Sequence, residues 1–103
     1  MIKAIFSFGE QNKIQAFTIS GHADFDSEGR DIVCSAVSVL AQNAINSVEA
    51  LAHIKVDAEI RDGYLSATFP SGNIKIETIL DSLYIGIDDI ADQFPTYVEI
   101  DRR

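Results

Sequence analysis

Apolar residues alternate at Ile2, Ala4, Phe6 and Phe8 before Gly9-Glu10-Gln11-Asn12 interrupts them, the pattern of a strand followed by a turn. Residues 13–20 carry Ile14, Ala16, Phe17, Thr18 and Ile19, all good strand formers, and stop at Gly21, so the two runs are expected to pair as a hairpin. Residues 21–30 gather two Gly with Asp24, Asp26, Ser27 and Glu28 around a lone Phe25, and are expected to form a mobile loop. From Asp31, a suitable N-cap, apolar positions recur with helical spacing at Val33, Val37, Leu40, Ala44, Val48 and Leu51. A second set at Ile32, Ala36, Val39 and Ile45 widens the stripe and predicts a helix packed on more than one side.

The second half repeats the order. Ile54, Val56, Ala58 and Ile60 alternate with Lys55, Asp57, Glu59 and Arg61, which predicts a half-buried strand. Asp62-Gly63 is a tight hairpin turn, residues 64–69 return with Leu65, Ala67 and Phe69 on one face, and Pro70-Ser71-Gly72 stops the strand. Residues 73–94 are amphipathic, with Ile76, Ile79, Leu80, Leu83, Ile87, Ile90, Ala91 and Phe94 at helical spacing; Gly86 is a weak point and Pro95 an end. Residues 96–101 form a last strand. The order ββαββαβ, with strands joined mainly by hairpins and two helices for one face, predicts an α+β two-layer sandwich on a mainly antiparallel sheet, in a single domain spanning residues 1–103.

Charge and composition narrow the partners. A formal net charge of −8 with only eight Lys plus Arg argues against a direct nucleic-acid binder, which needs a basic patch. An acidic surface suits basic partners and solubility. One Cys cannot form an internal disulfide, and the N-terminal stretch has no signal-peptide pattern, so a cytoplasmic protein is expected. The uncharged run from Ile32 to Val48 is broken by Ser35, Ser38, Gln42, Asn43, Asn46 and Ser47 too often for a membrane span. A chain of 103 residues is also small enough that a homo-oligomer is expected.

Candidate chemistry centres on Cys34 and His22. With Asp31 as N-cap, Cys34 falls at the third helical position, where unpaired N–H groups and the positive end of the dipole favour a thiolate. His22, at the end of a strand that returns toward the same loop, could serve as its base. The alternative is that Cys34 is a small hydrophobe beside Val33 and Val37, and that His22 only hydrogen-bonds a turn. Asp31 has two readings, capping the helix or orienting the His22 imidazole. Ser38 lies one turn after Cys34 and, with Ser35 and Gln42, forms an uncharged polar stripe of the kind that suits a subunit interface or a substrate groove. His53 fits the negative end of the first helix. Asp24-x-Asp26-x-Glu28-Gly29 is similar to the opening of a calcium loop, but Ser35 stands where a bidentate Glu is needed, and no paired zinc-ligand spacing occurs. Neither a metal nor a cofactor is expected.

Gly21-His22-Ala23, Gly29, Asp31-Ile32-Val33-Cys34, Ala36-Val37-Ser38 and Leu40 together resemble the signature of the ribosomal-processing cysteine protease family, Prp, over essentially the whole chain. The resemblance implies a cytoplasmic cysteine endopeptidase, dimeric and α+β, that removes the N-terminal extension of large-subunit ribosomal protein number twenty-seven. It implies Cys34 as nucleophile and His22 as general base. Ser35 departs from the alanine expected after the cysteine. On the residues' own reading, N–H groups near Cys34 are candidate oxyanion donors, Gly21 and Gly29 candidate hinges, and Phe25 a candidate cover for the site. A non-catalytic acidic dimer that binds a ribosomal protein is the competing reading, and a redox sensor a third.

Overall fold

The computed structural model describes residues 1–21 and 28–103, with residues 28–31 described by their helical backbone alone. Among the described residues the elements run β1 (Ile2–Phe8), β2 (Ile14–Ser20), α1 (Glu28–Ala52), β3 (Asp57–Arg61), β4 (Tyr64–Thr68), α2 (Ile74–Gln93) and β5 (Val98–Arg102), with a short 3₁₀ turn at Glu10–Asn12. The order is the expected ββαββαβ.

The strands form one sheet in the order β3-β4-β2-β1-β5. β1 and β2 are an antiparallel hairpin, with Phe6 opposite Phe17. β4 pairs antiparallel with both β2 and β3. β5 completes the other edge parallel to β1, with Ile2 opposite Val98. Gly63 closes the β3–β4 turn with φ 70°, the left-handed value that selects glycine.

Both helices lie on one face, as the alternation requires. Ile2, Ala4 and Phe6 of β1, Phe17 and Ile19 of β2, and Leu65 and Ala67 of β4 are buried toward them. Phe17 is 1% exposed, stacks on Phe69 at 5.7 Å and meets Phe6 at 6.2 Å between ring centroids. From the helices, Val33, Val37, Ala41, Ala44 and Val48 of α1 and Ile76, Leu80, Leu83 and Ile87 of α2 complete the core.

α2 starts where the sequence places it, because the Asn73 Oδ1 accepts from the backbone N–H of Lys75 at 2.9 Å and of Ile76 at 3.2 Å. Gly86 is no weak point: α2 runs unbroken through it, and a Cβ there would stand 3.0 Å from Leu40 Cδ1, so the glycine lets the two helices approach.

Three expectations need correction. α1 begins at Glu28, not after Asp31, which makes Asp31 a residue within the helix rather than its N-cap. Gly29, in the first turn, is a poor helix former, at most about 1 kcal/mol worse than alanine, which the packing of a 25-residue helix overrides. Second, α1 packs on both the sheet and α2, but its second apolar set is only partly buried: Ile45 is in the core, whereas Ile32 and Val39 are each 65% exposed. Third, β3 is not half-buried: it is a short edge strand with every residue exposed, and only Val56, just before it, is buried. Glu49 of α1 fixes that approach, its Oε2 accepting from the Val56 N–H at 2.9 Å. The negative end of α1 is met by Lys75, whose Nζ donates to the Leu51 carbonyl at 3.3 Å, while His53 follows the helix with φ 56°.

Phe17→Ala is expected to lower the free energy of unfolding by about 3–5 kcal/mol, and Asn73→Ala by about 1 kcal/mol. Urea denaturation of the three proteins checks both. Equal midpoints for Phe17→Ala and the parent protein would remove Phe17 from the centre of the core.

Candidate active site

Cys34 lies on the flank of α1 next to its buried ridge. Val33 and Val37 are each 1% exposed and point into the core, and one residue of helix rotation carries Cys34 about 100° away from Val33. The thiol is therefore half-buried: it packs against the core on one side and faces a cleft on the other.

The cleft is open to solvent. Its helix wall is Cys34, Ser38 and Gln42, spaced one turn apart, with Val37 and Ala41 behind them. Its floor is apolar, built from Ile2, Ile19, Leu65 and Ile60. Gly21, Gly63, Tyr64 and Arg61 form one end. The uncharged polar stripe of α1 thus lines a groove, one of the two roles expected for it, with the exception of Ser35, which is exposed on α1 and does not line the cleft.

Among the described residues that line the cleft, Arg61 carries the only formal charge, and it is already engaged. Its guanidinium sits 4.1 Å from the centroid of the Tyr64 ring, and its Nε donates to Glu59 Oε2 at 3.0 Å. Both Arg61 and Glu59 are more than half exposed, so the pair serves to place the guanidinium more than to stabilise the fold.

Gly21 is fixed in place by two independent constraints. Its φ is 108°, and a Cβ there would fall 2.2 Å from the carbonyl oxygen of Met1. Its N–H donates to the Gly63 carbonyl at 3.0 Å, joining the end of β2 to the β3–β4 turn. It is an anchored point on the cleft wall rather than a hinge. Gly29 lies in the first turn of α1 and is likewise not a loop hinge.

The structure brings together Cys34, Ser38 and Gly21. His22 and Phe25 lie outside the described residues, as do Asp24 and Asp26 of the calcium-like stretch and the side chain of Asp31. Among the described residues no group of three or more His, Cys, Asp or Glu is placed to hold a metal ion.

The earlier start of α1 changes the electrostatics expected at sulfur. The N–H groups without a partner in the helix belong to its first turn and end before residue 31. Cys34 is the seventh residue, about 9 Å along the axis from the first, and the dipole effect fades beyond the first turn. The backbone N–H groups around Cys34 belong to the helical ladder, which removes them as oxyanion donors. A side-chain donor is instead available one turn along the helix wall from Cys34, the Ser38 hydroxyl. Tyr64 and Arg61 reach the cleft only because β4 pairs with β2 and β3 beside α1, a juxtaposition with no local sequence signal.

A family model described as cysteine protease Prp matches residues 1–99. A ribosomal processing cysteine protease Prp from Bacillus subtilis (strain 168) is 27% identical over 97 residues, covering 87% of each chain. Its namesake from Staphylococcus aureus is 20% identical over the full length of both. Among solved structures, SMU.848 from Streptococcus mutans superposes with a TM-score of 0.87 at 28% identity, covering 99% of this chain and 93% of its own. The fold also matches an S. aureus Prp in complex with a substrate peptide, at TM-score 0.91, 20% identity and full coverage of both chains.

Two results are expected of the site. Iodoacetamide should alkylate Cys34 in the native protein without denaturant, read by intact-mass analysis; protection until unfolding would mark the thiol as a core residue only. Gly21→Ala should destabilise the protein by at least about 1 kcal/mol, because alanine is strained at a positive φ, and a thermal melt equal to that of the parent protein would contradict the double constraint.

Proposed function

The chain belongs to the cysteine protease Prp family, and we propose that it removes the N-terminal extension from large-subunit ribosomal protein number twenty-seven, with Cys34 as nucleophile and His22 as its general base. The observation that carries this reading is the half-buried Cys34 thiol on the wall of an open, apolar-floored cleft beside Gly21, the residue immediately before His22. A peptide needs room beside the thiol, and the cleft provides it.

In the proposed sequence His22 takes the thiol proton, and the Cys34 thiolate adds to the scissile carbonyl. The C–N bond breaks as the imidazolium gives its proton to the departing amine, leaving a thioester. Water, deprotonated by His22, then attacks the thioester and releases the carboxylic acid and the free thiol. The oxyanion formed at each addition accepts a hydrogen bond from the Ser38 hydroxyl, one turn from Cys34 on the same wall. Asp31 acts by orienting the imidazole.

The setting is consistent with this role. A net charge of −8 favours encounter with a basic ribosomal protein. The outward face of α1 exposes Ile32 and Val39 within a run that carries no charge from residue 32 to residue 48, which supports a homodimer that covers it. The work is cytoplasmic on this reading, where ribosomes assemble. Among the described residues no helix is long and apolar enough to cross a membrane.

Mass spectrometry of the precursor after incubation with the protein tests the proposal. The parent protein should generate one new N-terminus, Cys34→Ala none, and His22→Ala should be slower by a factor of about 10²–10⁴. Processing by Cys34→Ala at the parent rate would refute it.

A further inference from the structure

The alternation at residues 54–61 lays down an apolar face that the fold only half covers. Val56 is buried, whereas Ala58 and Ile60 are exposed, Ile60 at 61%. Register shows which way they point. Ala58 stands opposite Ala67 and Ile60 opposite Leu65, and both partners are buried beneath the helices. The two β3 side chains therefore face the helix side of the sheet, at an edge the helix layer does not reach. An exposed branched apolar side chain that continues the floor of a cleft offers a seat for an apolar group entering that cleft.

Ile60 shares the cleft with Cys34. From the thiol, the floor passes over Ile19 and Leu65 to Ile60 with no charged side chain between them. Arg61, the neighbouring cation, stands at one end of the cleft, where the Tyr64 ring and Glu59 hold it. The strip is thus continuous with the reactive wall and apolar along its length.

We infer that the open strip of β3 seats an apolar side chain of the peptide substrate on one side of the scissile bond, with Ile60 as a specificity-determining residue in contact with it. This rests on the protease reading, which supplies the occupant: a peptide whose backbone passes Cys34 carries side chains onto the floor beside it.

The test uses the full chain and a synthetic peptide spanning the precursor's cleavage site, with each apolar residue flanking the scissile bond replaced in turn by Asn. Ile60→Thr keeps β-branching, so the strand is preserved while apolar surface is removed. Its kcat/KM for the parent peptide is expected to fall about tenfold, through KM rather than kcat. One replaced peptide should already have lost as much with the parent protein and lose nothing further with Ile60→Thr. Ile60→Val should retain most of the cleavage, and the rate of Cys34 alkylation should be unchanged in both variants. Parent-level KM in Ile60→Thr, or losses that multiply independently at every peptide position, overturns the inference alone. Failure of the parent protein to cleave the precursor overturns the protease reading and the inference together.

Discussion

The ridge that α1 presses onto the sheet determines where the cleft chemistry sits. Val33, Val37, Ala41, Ala44 and Val48 recur at three- and four-residue intervals, and each is at most 3% exposed. Turning the helix by one residue would drive Cys34, Ser38 and Gln42 into the core and leave those aliphatic groups in water. Burial of each larger aliphatic side chain is worth about 1.5–3 kcal/mol, so that rotation is strongly resisted. The polar wall of the cleft is thus held in place by side chains that take no part in it.

A second constraint operates where the chain leaves β2. The positive φ of Gly21, the proximity of the Met1 carbonyl and the hydrogen bond to Gly63 tie three separate stretches of chain to one point on the cleft wall. The chain therefore leaves β2 at a fixed point on the cleft wall.

The parts of this fold that local chemistry decides were legible in the sequence. The Asp62-Gly63 turn and the apolar spacing of α2 each have a cause within a few residues, and each stands where it was expected. The parts decided by tertiary packing were not. Asp31 is a good capping residue, but α1 extends past it to Glu28 because a long packed helix tolerates Gly29. Alternation around Ile60 correctly gave a strand but not its burial, since burial depends on which strands the helices cover. The cysteine and its polar stripe were readable, and the cleft's far end was not, because Tyr64 and Arg61 come to it through sheet order.

The two edges of the sheet are maintained differently. β5 is fastened by Arg102, stacked 4.4 Å over Phe8 and 5.1 Å from the Tyr84 ring centroid, with its Nη1 donating to the Tyr84 hydroxyl at 3.1 Å. On β3, Arg61 over the Tyr64 ring ties the strand to β4, while Ala58 and Ile60 stay exposed. Side chains exposed there add little to folding, and substitutions at such positions usually change stability by less than about 0.5 kcal/mol. Variation along β3 therefore escapes the selection that holds a core constant, and a lineage can alter what this strand touches while the sheet beneath it stays the same.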